Sequence, residues 1–204
     1  MKNEVFFILD RSGSMSGIES DTIGGYNTFL EKQRKDGMAT SITTVLFDDK
    51  YEVLHSVCDI REVTNITSEE YFVRGSTALL DAIGKTIITA KKRILAQRKS
   101  EQPDNVIFVI ITDGYENAST KYTYSSIRDL IALQESEHKW EFLFLGADLG
   151  STEDADRMGI KMCNRVTYNK ADTGAMFETM ALHVSEFKQN GIMREDWVKD
   201  IEDL

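Results

Sequence analysis

The chain predicts an α/β fold, a doubly wound and mostly parallel sheet with helices on both faces and one antiparallel edge strand. Three observations carry that prediction. Val5-Phe6-Phe7-Ile8-Leu9 and Val106-Ile107-Phe108-Val109-Ile110-Ile111 are apolar runs without polar alternation, which read as strands buried on both faces. Between them Leu80, Ile83, Ile87, Ala90 and Ile94 recur at helical spacing. Strands of the first kind alternating with helices of the second imply βαβ units and a parallel sheet of about six strands.

After the first strand, Asp21 or Thr22 is the expected cap of a helix whose apolar side is Ile23, Tyr26 and Leu30. Ser41–Phe47 and Tyr51–His55 are strands around Asp48-Asp49-Lys50, a connection short enough for a hairpin, so the second becomes the antiparallel edge. The helical pattern from Thr77 to Ser100 ends before Pro103, and the Val106 strand follows. Thr123–Ser136 is the next helix, with Ile127, Leu130, Ile131 and Leu133 apolar. Trp140–Leu145 is a strand ending at Gly146, Asp154–Met158 a short helix and Arg165–Tyr168 a final strand. Asp172 is placed to cap a last helix carrying Phe177, Met180, Val184 and Phe187. These signals define a domain over residues 1–190. Residues 191–204 form an acidic C-terminal extension, read as a short helix or tail.

A length of 204 residues and 41% hydrophobic content suit one globular domain with a substantial core. The net charge of −10 disfavours nucleic-acid binding, which needs clustered cations. The basic cluster Lys91-Lys92-Arg93 with Arg98-Lys99 is assigned to the last turns of a helix, where cations favour the carboxyl end of the dipole. No stretch approaches the ~20 apolar residues of a membrane helix, so the expectation is a cytoplasmic protein that engages neither membrane nor nucleic acid. Cys58 and Cys163 are far apart and read as free, partly buried thiols. His55, His138 and His183 share no metal-ligand spacing and read as structural or surface residues.

The chemistry concentrates where the apolar runs end. Asp10-Arg11-Ser12-Gly13-Ser14 follows the first strand, Gly75-Ser76-Thr77 precedes the long helix, and Thr112-Asp113-Gly114 follows the Val106 strand. Open α/β sheets bind ligands at the carboxyl ends of their strands. Asp10, Ser12, Ser14, Thr77 and Asp113 therefore project from one sheet edge as an oxygen-only donor set. Such a set suits Mg²⁺ or Mn²⁺ and suits zinc poorly. Taken singly, each residue is an ordinary turn former or helix cap; their joint occurrence at central strand ends favours a metal site. Glu116 reads as a solvated loop charge or a tuning residue. Met15 and Tyr115 read as an apolar rim or as core, and Asp48-Asp49 as a turn.

This constellation resembles the metal-ion-dependent adhesion site of von Willebrand factor type A domains. It is carried by Phe7-Ile8-Leu9-Asp10-Arg11-Ser12-Gly13-Ser14-Met15, Gly75-Ser76-Thr77-Ala78-Leu79-Leu80-Asp81-Ala82-Ile83 and Ile111-Thr112-Asp113-Gly114, in that order. The resemblance covers at least Glu4 to Gly146 and suggests a stand-alone bacterial or phage-type member with a Rossmann-like fold. It implies Mg²⁺ as cofactor, with Mn²⁺ or Ca²⁺ as substitutes, and a non-enzymatic role in protein binding. By the same resemblance Ser12 and Ser14 would bind the ion directly and Asp10 largely through water. Thr77 or Asp113 would exchange between direct and water-mediated contact, and a partner's Asp or Glu would be the sixth ligand. An ATPase or a multi-protein assembly is the partner class raised by analogy. The competing readings are a Mg²⁺-dependent phosphohydrolase or phosphotransferase and a metal-stabilised scaffold. Against the first, Ser12 stands where an aspartyl-nucleophile enzyme needs an acid, and no phosphate-binding glycine loop or nucleophile elbow occurs.

Overall fold

The computed structural model of the chain describes residues 1–147, 149–194 and 196–202. Strands β1 (Asn3–Asp10), β2 (Thr40–Phe47), β3 (Tyr51–Asp59), β4 (Asn105–Thr112), β5 (Glu141–Gly146) and β6 (Arg165–Thr167) form one six-stranded sheet in the order β3-β2-β1-β4-β5-β6. All pairings are parallel except β2 with β3, the antiparallel hairpin at one edge. The helices are α1 (Glu19–Lys35), α2 (Leu79–Ala96), α3 (Tyr124–His138), α4 (Leu149–Arg157), α5 (Thr173–Asn190) and α6 (Lys199–Glu202).

Successive strand side chains face opposite ways, and this splits the core in two. Val5, Phe7 and Leu9 of β1 pack with Tyr26 and Phe29 of α1 and Met180 and Val184 of α5. Phe6 and Ile8 pack on the other face with Ile83 and Ile87 of α2 and Ile127 and Ile131 of α3. Phe6, Phe108 and Phe142 are register neighbours whose rings stack with centroids 4.5 and 4.8 Å apart, tying the three central strands together. On the opposite face α1 comes close enough to α5 that a Cβ on Gly25 would lie 2.2 Å from the Phe177 ring. Met193, Trp197 and Ile201 bury into the same cluster as α5, and the Trp197 indole donates to the Cys163 carbonyl at 2.7 Å. Within the stretch read as an acidic helix or tail, Glu195, Asp203 and Leu204 lie outside the described residues.

Several local expectations are corrected. Helix α1 starts at Glu19 behind Ile18, with no side-chain cap, so neither Asp21 nor Thr22 caps it. Strand β3 runs four residues past His55, through a register irregularity and a left-handed Val57 (φ 52°) that apolar patterning does not signal. Helix α2 ends at Ala96, which leaves Arg98 and Lys99 beyond it; Arg93, within its last turn, pairs with Glu4. In α3, Thr123 is the cap rather than the first helical residue, and Leu133 is exposed. Asp172 stands at the cap position of α5 but makes no cap bond; Thr173 Oγ1 bonds the Lys170 carbonyl instead. Both cysteines are free of a disulfide and partly buried. Among the described residues no helix is long and apolar enough to cross a membrane.

The topology fixes where a ligand can sit. From β1 the chain moves through α1 to β2 on one side, and from β4 through α3 to β5 on the other. The strand order therefore reverses between the adjacent strands β1 and β4. Open α/β sheets bind ligands outside the carboxyl ends of strands at such a reversal, and here Asp10 ends β1 and Asp113 follows β4.

Candidate metal centre

Beyond Asp10 the chain turns through a short 3-10 segment, Gly13–Met15. The turn is pinned from within, because the Ser12 amide donates to Asp10 Oδ1 at 2.6 Å. It is also pinned from outside: the Gly13 amide donates to the Gly75 carbonyl at 3.2 Å and the Arg74 amide to the Arg11 carbonyl at 2.9 Å. The Gly75 loop is thereby laid against the first loop. Gly75 has φ +67°, and a Cβ there would lie 2.0 Å from Asp49 Oδ1, so position 75 requires glycine. Thr77 is held by its amide, which donates to Asn117 Oδ1 at 2.9 Å.

The five expected residues come together. Ser12 Oγ and Ser14 Oγ are 2.9 Å apart, and Thr77 Oγ1 donates to Ser12 Oγ at 2.9 Å. Asp10 Oδ2 accepts from Thr112 Oγ1 at 2.6 Å. Gly114 closes the floor: a Cβ there would lie 2.6 Å from Ser14 Oγ, 2.7 Å from Thr77 Oγ1 and 3.4 Å from Ser12 Oγ. Three hydroxyl oxygens thus converge on a cradle that any side chain at position 114 would fill.

The electrostatics show what the cradle suits. Burial pushes the Asp10 carboxyl up to about 6. The hydrogen bonds from Thr112 and Ser12 oppose that rise, and the Asp113 charge adds to it. A buried carboxylate with a second one beside it is the arrangement a divalent cation relieves. Tyr168 is buried with a hydroxyl that finds no hydrogen-bond partner among the described residues. Burial, and then the Asp113 and Asp10 charges, push its phenol above the ordinary tyrosine value. Among the described residues no group of three His, Cys, Asp or Glu could hold a metal. The set is instead two carboxylates and three hydroxyls, hard donors that fit Mg²⁺ or Mn²⁺.

Other residues expected near the site have different work. Met15 is buried core and Tyr115 is exposed, so the two form no common rim. Glu116 is partly exposed but not a free loop charge; it accepts from the amides of Leu80 (2.9 Å), Ala118 (3.0 Å) and Ser119 (2.7 Å), tying its loop to the start of α2. Asp48 makes its turn, accepting from the Lys50 amide at 2.6 Å, but it is also fully buried in an ion-pair network. Arg11 Nε reaches it at 3.0 Å and Arg74 Nε at 2.7 Å, while Arg11 also pairs with Glu52 at 2.6 Å. His55 lies against Thr44, His138 against Trp140, and His183 between Glu186 and Asp200, all away from the cradle.

Four further residues contribute to the site. Thr112 orients Asp10, and the Tyr71 hydroxyl holds the Asp10 carbonyl at 2.7 Å. Asp154 accepts from the Glu116 amide at 3.1 Å and steadies the loop after Asp113. Lys170, from the segment before α5, pairs with Asp113 and donates to the Ser14 carbonyl at 3.3 Å. Thr112 alone of the four had a signal in the sequence, its place between the apolar run and Asp113.

No protein-family model matches the sequence, and no curated protein matches it. Solved structures do resemble it. The von Willebrand factor type A structure from Catenulispora acidiphila aligns over 90% of this chain and 43% of its own, with 13% identity and a TM-score of 0.63. This chain thus spans less than half of that one. The vWF domain of the type V pili tip protein Mfa5 from Porphyromonas gingivalis aligns over 95% of this chain and 98% of its own, at 13% identity and a TM-score of 0.66. Manganese-loaded TRAP protein of Plasmodium vivax aligns over 87% and 73%, at 13% identity and a TM-score of 0.57. Strand order, edge hairpin and these alignments agree: the chain has the fold of von Willebrand factor type A domains.

Proposed function

We propose that the chain is a divalent-metal-dependent protein-binding module. The observation that carries this reading is the cradle at Gly114, where Ser12, Ser14 and Thr77 hydroxyls converge beside Asp10 and Asp113 at the topological switch point. Ser12, Ser14, Thr77, Asp10 and Asp113 are the residues that would hold Mg²⁺, with Mn²⁺ or Ca²⁺ as substitutes. The bound ion supplies an electrophilic centre for a partner's Asp or Glu carboxylate. The mixture of donors matters, because neutral hydroxyls complete a coordination shell without cancelling further charge. Thr112 and the Ser12 amide keep Asp10 turned toward the hydroxyls, and Glu116 and Asn117 keep Thr77 and the start of α2 in register with them. A solved structure of the same fold, the TRAP protein, is described as manganese-loaded, which supports this chemistry here by analogy.

The phosphohydrolase reading has less support. Its nucleophile would be Asp10, whose carboxylate accepts from Thr112 and the Ser12 amide; the acid needed two residues on is replaced by the Ser12 hydroxyl, which bonds Ser14 and Thr77, and each of the three histidines is engaged elsewhere. A general base aligned on a nucleophile is the feature such catalysis needs. The test is capture of a partner from native lysate by the immobilised chain, with Mg²⁺ and with a chelator. The proposal expects capture that requires the ion, disappears for Asp113→Ala, and is lost when one acidic residue of the captured protein is neutralised. Capture indifferent to chelator and to Asp113→Ala would favour the scaffold reading.

A further inference from the structure

Lys170 sets a cation against a carboxylate proposed to ligate a metal ion. Its ammonium pairs with the Asp113 carboxylate and donates to the Ser14 carbonyl at 3.3 Å, so it bridges two of the loops that form the cradle. Asp113 is 2% exposed and Lys170 45%, so a charge partly in water is held against one that is not. The lysine is placed by its backbone. Asn169 Oδ1 accepts from the Ala171 amide at 3.0 Å, and the Lys170 carbonyl accepts from Thr173 Oγ1 at 2.7 Å, at the entry to α5. That entry is anchored to the sheet edge by the Tyr168 amide, which donates to the Gly146 carbonyl at 3.0 Å. The contact therefore belongs to a built junction between β6 and α5.

We propose that Lys170 is the internal counter-cation of the site, which stabilises Asp113 in the metal-free protein and opposes the binding of a divalent ion. The inference rests on the metal reading of Asp113. Two cations cannot share one carboxylate without repelling each other. For Asp113 to serve an ion, Lys170 must turn out toward water, which its half-exposed side chain allows. Turning out costs the ion pair. A pair with one exposed partner is worth about 1 kcal/mol, which corresponds to roughly a fivefold change in affinity. The residue sets a threshold: divalent ions occupy the site only where their concentration overcomes the resident lysine. Because Lys170 opens the segment leading into α5, the same exchange links site occupancy to the start of that helix.

The experiment is calorimetric titration of Mg²⁺ and of Mn²⁺ into chelator-treated wild type, Lys170→Gln and Lys170→Arg. Thermal melts of all three proteins are run in chelator and in saturating Mg²⁺. Lys170→Gln is expected to bind both ions roughly fivefold more tightly. It should melt below wild type in chelator and recover that deficit in Mg²⁺, whereas Lys170→Arg keeps the charge and stays near wild type. Equal or weaker binding by Lys170→Gln, with wild type binding normally, overturns the inference and leaves the metal reading standing. Absence of binding in all three chains overturns the metal reading, and the inference with it.

Discussion

Gly114→Ala is the sharpest perturbation of the cradle, because it adds one methyl group where three hydroxyls meet. The new Cβ would lie 2.6 Å from Ser14 Oγ and 2.7 Å from Thr77 Oγ1, against about 3.4 Å for ordinary contact. The two oxygens must therefore retreat by about 0.8 and 0.7 Å, or the loop must move by as much. Mg²⁺ holds its ligands near 2.0–2.1 Å and tolerates deviations of about 0.2 Å, so the displacement exceeds the tolerance roughly threefold or more. Loss of two of the hydroxyl ligands should weaken Mg²⁺ binding at least tenfold, or ~1.4 kcal/mol. The fold should survive, since Ser14 is exposed and can turn away. Overpacking costs about 1–3 kcal/mol, at about 2–4 °C of melting temperature per kcal/mol for a chain of this size. The assay is Mg²⁺ calorimetry alongside a thermal melt in chelator. A folded Gly114→Ala protein with wild-type Mg²⁺ affinity would show that the ion does not sit among these hydroxyls.

Three further outcomes follow from other parts of the molecule. Thr77→Ala should keep most of its Mg²⁺ affinity, because it removes a single neutral hydroxyl and leaves both carboxylates and both serine hydroxyls in place, yet lose capture of the chelator-sensitive partner; parallel loss of both would make Thr77 a static ligand only. Burial alone pushes the Asp48 carboxyl up, but the Arg74 hydrogen bond, the Lys50 amide and the Arg11 charge outweigh it and hold it below the ordinary aspartate value. A depressed folded pKa gives stability that is present above the unfolded value near 4 and is lost as pH falls through the folded one. Asp48→Asn should therefore cost about 3 kcal/mol in urea unfolding at pH 7, with the gap from wild type closing below about pH 4; a gap that persists there contradicts the account. Gly25→Ala, whose Cβ would lie 2.2 Å from the Phe177 ring, should destabilise by about 1–3 kcal/mol while Mg²⁺ affinity stays unchanged.

The parts of the fold legible in the sequence were those set by apolar periodicity. Val5–Leu9 and Val106–Ile111 are apolar throughout because both faces of the sheet are covered, and Leu80 to Ile94 repeat with one turn of helix. Asp10, Ser12 and Ser14 were legible because one short loop carries them, and Thr77 and Asp113 because each adjoins a strong strand or helix signal. Lys170 was not, since nothing local distinguishes a lysine that reaches a site built by distant segments from one in solvent. The buried Arg11–Asp48–Arg74 network was hidden for the same reason: charged residues are ordinarily exposed, and only tertiary pairing reverses that. Glu116 was misread because its partners are backbone amides brought near by the fold of its own loop. The start of α1 was misplaced because Ile18 offers no capping side chain, and the end of β3 because Val57 leaves regular strand geometry.

The central claim is that Asp10, Ser12, Ser14, Thr77 and Asp113 form a single divalent-cation site. Calorimetric titration of Mg²⁺ and Mn²⁺ into chelator-treated wild type, Asp10→Ala and Ser12→Ala/Ser14→Ala tests it most directly. Asp10→Ala removes one of the two carboxylates and the double variant two of the three hydroxyls, while Thr112, Gly114 and the strand core stay in place. The account predicts one ion per wild-type chain, with binding lost or greatly weakened in both variants while their folds persist. Equal binding by wild type and both folded variants would contradict it.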